Sequence, residues 1–261
     1  MIVAGLVVIA GVGIGLLLHG GRKHPRAVTP APSPSPSIGW LPPQPGGLDL
    51  AGWKLSIPEE NDNGDATSVD PAAVKSPWLT EGHDGGLEFW APAAGVTTKN
   101  SQHPRTELQS LTTFPAGTAH HTLSASLTLL QLPHDGRGII VGQIHGADDI
   151  SSVPYVMLRV QNDRLRVVVK QVQDGDTLIN YPLLDHVGLN SQIDYTITDS
   201  GDGSMTFSAT ADGLTGRAVA PVPQPFQGAT VRFQAGDYQQ ADESTGTQDG
   251  GRVEFQRLSQ E

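Results

Sequence analysis

Three short stretches of this chain place ionisable and amide side chains two residues apart. In 104–110 (PRTELQS), Arg105, Glu107 and Gln109 alternate with Thr106 and Leu108. In 142–145 (GQIH), Gln143 and His145 flank Ile144. In 231–240 (VRFQAGDYQQ), Arg232, Gln234, Tyr238 and Gln240 alternate with Phe233 and Ala235, with Gly236 between. A strand sends successive side chains to opposite faces, so each stretch has one polar face and one core face. If the three strands are neighbours, their polar faces form one floor of Arg, Glu, Gln, His and Tyr. Such a floor combines groups that hold anions with groups that exchange protons. Each feature alone has a plainer reading: an exposed His, a surface Arg–Glu pair worth under ~1 kcal/mol, a Tyr that merely packs beyond a Gly.

The elements that must position these residues are strands. LEFWAP (87–92), TLSASLTLLQL (122–132), GIIVGQIH (138–145), YVMLRVQ (155–161), RLRVVVKQV (164–172), DYTITD (194–199), SMTFSATA (204–211), TVRFQAGDYQQ (230–240) and RVEFQRL (252–258) are rich in β-branched residues and often alternate. Turn formers separate them, such as His134-Asp135-Gly136 and Ser200-Gly201-Asp202-Gly203. No long segment has a 3.6-residue period, and at most one short helix fits, around Pro71–Lys75. Many short strands over some 210 residues predict an all-β sandwich or jelly roll.

In this order, PRTELQS, GQIH and VRFQAGDYQQ resemble the three signature strands of the alginate lyases of polysaccharide lyase family seven. Those strands read roughly R-[ST]-E-L-R, Q-[IV]-H and Y-F-K-A-G-x-Y-x-Q. WKLSIP (53–58) and RVEFQRL look like that family's first and last strands, so the resemblance spans about residues 50–258. It implies a jelly roll of two packed antiparallel sheets with an open concave cleft. It also implies β-elimination at a 1,4-linked uronate, with no metal or organic cofactor. Arg105 and Gln143 match the residues that neutralise and hydrogen-bond the substrate carboxylate, His145 the base that removes the C5 proton, and Tyr238 the acid that protonates the leaving O4. Glu107 is expected to orient Arg105. Gln109, Arg232, Gln234 and Gln240 are expected to line the substrate groove.

Two departures bear on substrate. The family's Lys in F-K-A-G is Gln234 here, and the last Arg of R-T-E-L-R is Gln109. Both exchanges remove cations from the cleft. Isoleucine between Gln143 and His145 goes loosely with guluronate-containing substrates. The rival readings are a lyase on another polyuronate such as glucuronan, a non-catalytic carbohydrate-binding sandwich, and a retaining hydrolase. The last needs paired carboxylates on one strand, and no E-x-D-x-x-E-type run is present.

Composition narrows the rest. The chain has no cysteine, which removes disulfides, thiolate metal sites and thiol catalysis together. Net charge is −11. Residues 1–46 hold three of the 16 basic residues and no acid, leaving 13 basic against 27 acidic residues beyond them. Nucleic acid is an unsuitable partner for so acidic a domain. An anionic polymer suits it only if its few cations gather in one cleft. Residues 2–18 (IVAGLVVIAGVGIGLLL) are wholly apolar or glycine, near the lower limit for a spanning helix. Residues 25–46 are Pro/Ser-rich, as an extended spacer would be. The expected organisation is a membrane segment at 1–20, a linker at 21–46 and a monomeric catalytic domain at 47–261. That places the enzyme outside the cytoplasm, anchored at the cell surface or secreted.

Overall fold

The computed structural model describes residues 48–73 and 76–261. The expected membrane segment and linker lie outside the described residues. Among those described, no helix is long and apolar enough to cross a membrane.

Sixteen strands and four three-residue 3-10 turns form the described part. In chain order the first six strands are β1 (Trp53–Glu60), β2 (Ala66–Val69), β3 (Leu79–Glu81), β4 (Leu87–Pro92), β5 (Arg105–Ser110) and β6 (Phe114–Pro115). Next come β7 (His120–Gln131), β8 (Ile139–Gly146), β9 (Pro154–Gln161), β10 (Arg164–Lys170) and β11 (Leu178–Leu184). The last five are β12 (Gln192–Ser200), β13 (Ser204–Ala211), β14 (Leu214–Pro221), β15 (Thr230–Gln239) and β16 (Gly250–Gln260). Of the short helix expected near Pro71–Lys75, the described residues show a 3-10 turn at Pro71–Ala73.

The strands make two antiparallel sheets. One runs β11-β10-β9-β8-β15-β5-β1-β2, with β6 paired to β15. The other runs β14-β13-β12-β7-β16-β4-β3. The expected two-sheet sandwich is therefore what forms, and the three polar stretches occupy the adjacent strands β8, β15 and β5.

Alternation decides which face each strand buries. Leu108, Ile144, Phe233 and Ala235 from the first sheet join Leu127, Ile197, Phe207, Val253 and Phe255 from the second in one core. Fully burying each larger apolar side chain is worth roughly 1.5–3 kcal/mol. A one-residue slip would turn that whole set outward, so the core also fixes which way Arg105, His145 and Tyr238 point.

Two hydrogen bonds tie the sheets together directly beneath the polar floor. Thr106 Oγ1 donates to the Trp90 carbonyl at 2.6 Å, and the Ala91 amide donates to Asp237 Oδ2 at 3.0 Å. Asp237 is fully buried, and that burial pushes its carboxyl well above the usual range.

Candidate active site

Strand β15 carries the local feature that sets the site. Its register with β5 is unbroken from Gln234↔Gln109 to Tyr238↔Arg105. Against β8 it slips between Ala235 and Tyr238, a bulge of the kind that re-aims a side chain. Gly236 makes it possible. Its φ is +152°, and a Cβ there would lie 2.5 Å from the Thr106 carbonyl oxygen and 2.7 Å from Glu107 Cα. The A-G-D-Y run thus brings Tyr238 onto Arg105.

Arg105 is the centre of the constellation. Only 7% of it is exposed. Its Nη1 donates to Glu107 Oε2 at 3.0 Å, its Nη2 donates to Ser101 Oγ at 3.0 Å, and its Cζ sits 3.6 Å from the centroid of the Tyr238 ring. Glu107 is fully buried, and desolvation raises its carboxyl against the pull of Arg105 and Gln143. Removing either partner of such a buried pair strands the other.

Gln143 extends this network. Its Nε2 donates to Glu107 Oε1 at 2.5 Å and to Gln234 Oε1 at 3.2 Å, while its own Oε1 is buried without a partner. Both amide hydrogens are therefore engaged within the floor. In this arrangement Gln143 fixes Glu107, and to donate to a substrate it must release one of the two.

His145 is held differently. Its Nδ1 lies 3.0 Å from the Gly146 carbonyl oxygen, which can only accept. Nδ1 therefore carries the proton, and in the neutral ring Nε2 keeps its lone pair. Burial first, then the charges of Arg105 and Arg232, push the imidazole down to about 4 against the Gly146 bond. The ring stays neutral through the mildly acidic range where a free histidine would charge. The expected consequence is an acid limb of kcat/KM that falls well below pH 6.5, toward about 4. The sign for stability is the same. The unfolded chain binds this proton more readily, so the contribution is complete above about pH 6.5 and is lost as pH falls toward 4. A pH–rate profile of the free enzyme with a limb at 6.5 would contradict this environment.

Three residues join the site that the sequence pattern did not mark. Ser101 Oγ donates to the His103 carbonyl at 2.9 Å and lies 3.0 Å from the Tyr238 hydroxyl. Since the Ser101 hydrogen is taken, the Tyr238 hydroxyl is the donor of that pair. His103 stands beside it, its ring 6.4 Å from that of Tyr238. Lys54 on β1 is in register with Gln109. Ser101 and Tyr238 are 137 residues apart, so only the folded chain shows the link.

A cavity of about 270 Å³ opens over this floor, and Arg105, Gln109, His145, Arg232 and Gln234 line it with Lys54 and the loop at 98–100. Among the described residues no acidic one lines it. Lys54, Lys99, Arg105 and Arg232 therefore gather in one groove of a strongly acidic domain, which is the condition an anionic polymer demands. Gln240 lies past the end of β15, its amide donating to the Tyr238 and Gln239 carbonyls; with Glu107, Gln143 and Tyr238 it is outside the cavity's lining. Two roomier grooves, of about 860 and 740 Å³, lie away from these side chains and are mostly apolar. Among the described residues no three of His, Asp and Glu stand close enough to hold a metal ion.

The arrangement offers a neutral imidazole, a phenol whose proton is held on Ser101 Oγ, and a guanidinium beside both. Solved structures are similar to the chain as a whole. Alginate lyase A1-II', a member of polysaccharide lyase family 7, is 26% identical with a TM-score of 0.69, over 82% of this chain and 96% of that one. Alginate lyase PA1167 from Pseudomonas aeruginosa is 27% identical with a TM-score of 0.69, over 82% and 99%. A substituted form of A1-II' in complex with product (GGG) is 27% identical with a TM-score of 0.69, over 83% and 98%. None of the curated proteins compared matches the chain. The family model described as alginate lyase matches residues 48–261, and the chain belongs to that alginate lyase family.

Proposed function

We propose that this enzyme cleaves 1,4-linked polyuronate, alginate first among them, by β-elimination. The observation that carries the reading is a neutral His145 and an Arg105 stacked on Tyr238, the first two lining a groove that Lys54, Lys99 and Arg232 also line.

The chemical difficulty lies at C5. Its proton is α to a carboxylate and only weakly acidic while that carboxylate is charged. Arg105 meets the carboxylate and stabilises the charge that develops on it. His145 Nε2 removes the C5 proton. The electron pair forms the C4–C5 double bond as the C4–O4 bond breaks. O4 leaves with the neighbouring sugar and takes its proton from the Tyr238 hydroxyl. One chain end is then an unsaturated uronate and the other a new reducing end. His145 returns its proton to water and Tyr238 regains one. Ser101, relieved as acceptor, can turn its hydroxyl toward the phenolate in between.

The exchange of two cleft cations for Gln109 and Gln234 makes the choice of polyuronate the first thing to test. Residues 47–261 should be mixed with alginate, polymannuronate, polyguluronate and glucuronan, and chain length and ultraviolet absorbance followed. Alginate and at least one of its block polymers should be depolymerised fastest. Preference for glucuronan would move the enzyme to another polyuronate. Binding without cleavage of any of them would make it a carbohydrate-binding sandwich.

The reading includes its setting. The apolar run at 2–18 and the Pro/Ser-rich stretch at 25–46 support an extracytoplasmic enzyme held at or released from the cell surface, where a polymer too large to enter the cell is met.

A further inference from the structure

Resting on the polyuronate reading, we propose that Lys54, with Lys99 beside it, forms a second carboxylate site, which holds a uronate neighbouring the one that is cleaved.

The geometry begins with a row across four adjacent strands. Gln143 on β8 is in register with Gln234 on β15, Gln234 with Gln109 on β5, and Gln109 with Lys54 on β1. These side chains share the groove face. The row is three neutral amides ending in one ammonium. With strands about 4.8 Å apart, the Lys54 backbone stands about 10 Å from that of Gln234 and about 14 Å from that of Gln143. That is beyond the sugar over His145 and within reach of the next along an extended chain.

Charge supports the assignment. Lys54 is half-buried on an interior strand. A cation there normally faces an acid, and the domain has acids in excess. Yet among the described residues neither Lys54 nor Lys99 is in an ion pair, and both line a cavity with no acid in its wall. The protein leaves this positive end of the groove open. A polyuronate brings one carboxylate per sugar, so a chain whose first carboxylate lies on Arg105 must place others along the floor. Gln109 and Gln234 can hydrogen-bond such a group without neutralising it. Lys54 supplies the missing charge one strand away from Gln109. Lys99, on the exposed loop at 98–100, supplies another from above.

The test is an affinity measurement that needs no turnover. The Tyr238→Phe chain is titrated calorimetrically with hexamannuronate and with hexaguluronate, and Lys54→Gln and Lys99→Gln are added to that background. Lys54→Gln should weaken binding about tenfold and Lys99→Gln about threefold, the scale of one charge-assisted contact at a half-buried and an exposed position. Added salt should weaken binding less steeply in both. Lys170→Gln, whose lysine lies 3.9 Å from Asp176 and outside the groove, should leave affinity unchanged. Because Lys99 is on an exposed loop, its substitution keeps the test open even if Lys54→Gln folds poorly. Binding by the background chain that neither lysine substitution alters overturns this site alone. A background chain that binds neither hexamer overturns the polyuronate reading and the site with it.

Discussion

Tyr238→Phe should abolish turnover on every polyuronate while leaving binding nearly intact. The substitution removes one oxygen. The ring that Arg105 stacks against at 3.6 Å remains, so the guanidinium keeps its place. What is lost is the phenolic proton proposed for the leaving O4, and without it an alkoxide must depart unprotonated. General acid–base groups contribute about 10²–10⁴-fold, so kcat should fall by that factor with KM held within about twofold, the pattern of an interaction made only in the transition state. Steady-state kinetics on a folded variant decide it. A Tyr238→Phe chain within a few-fold of the parent would move the acid off β15.

Arg105→Ala should do more damage and of two kinds. Arg105 meets the substrate carboxylate in ground and transition states alike, so both kcat and KM should suffer. It is also the partner of Glu107. Breaking a buried pair costs about 3–5 kcal/mol because the remaining charge is stranded. Glu107, its carboxyl already raised by burial, would answer by taking a proton. Thermal unfolding should therefore show a marked loss in Arg105→Ala that is largely repaired in Arg105→Ala/Glu107→Gln, since the amide needs no counter-ion. Activity should not return with the stability. Recovery of both together would mean that Arg105 serves the fold and not the reaction. Arg105→Lys should fall short as well, because one ammonium cannot serve Glu107, Ser101 and the Tyr238 ring at once.

Much of this was legible before the fold was known, for a physical reason. Period-two alternation in PRTELQS, GQIH and VRFQAGDYQQ marks strands with a polar face, and ordered resemblance puts the three together. Interior strands such as β8, β13 and β16 bury nearly continuous apolar sides and read clearly. The strands that pattern missed are mostly edges: β2, β3, β11 and β14 each end a sheet. β11 (LINYPLL) carries a proline and exposes Leu178 and Ile179, and β14 (LTGRAVAP) ends on proline and exposes Leu214 and Val219. An edge strand has one partner and weak burial, so its sequence is free to look like a loop. The site divides the same way. Arg105 and Glu107 are two residues apart and could be paired on paper. Ser101 beneath Tyr238, the hydrogen bonds that occupy Gln143, and the Lys54–Gln109 register depend on strand order, which no local pattern encodes. Gln240 shows the opposite case. Alternation continues on paper past Gln239, but the strand ends there, and the side chain turns to its own backbone.

The central claim is elimination, and product stoichiometry tests it most directly. In a digest of alginate, the number of new conjugated double bonds, read by ultraviolet absorbance, should equal the number of new reducing ends. Reducing ends released without matching double bonds would show that water, not the C5 proton, takes part in the cleavage, and would contradict the account.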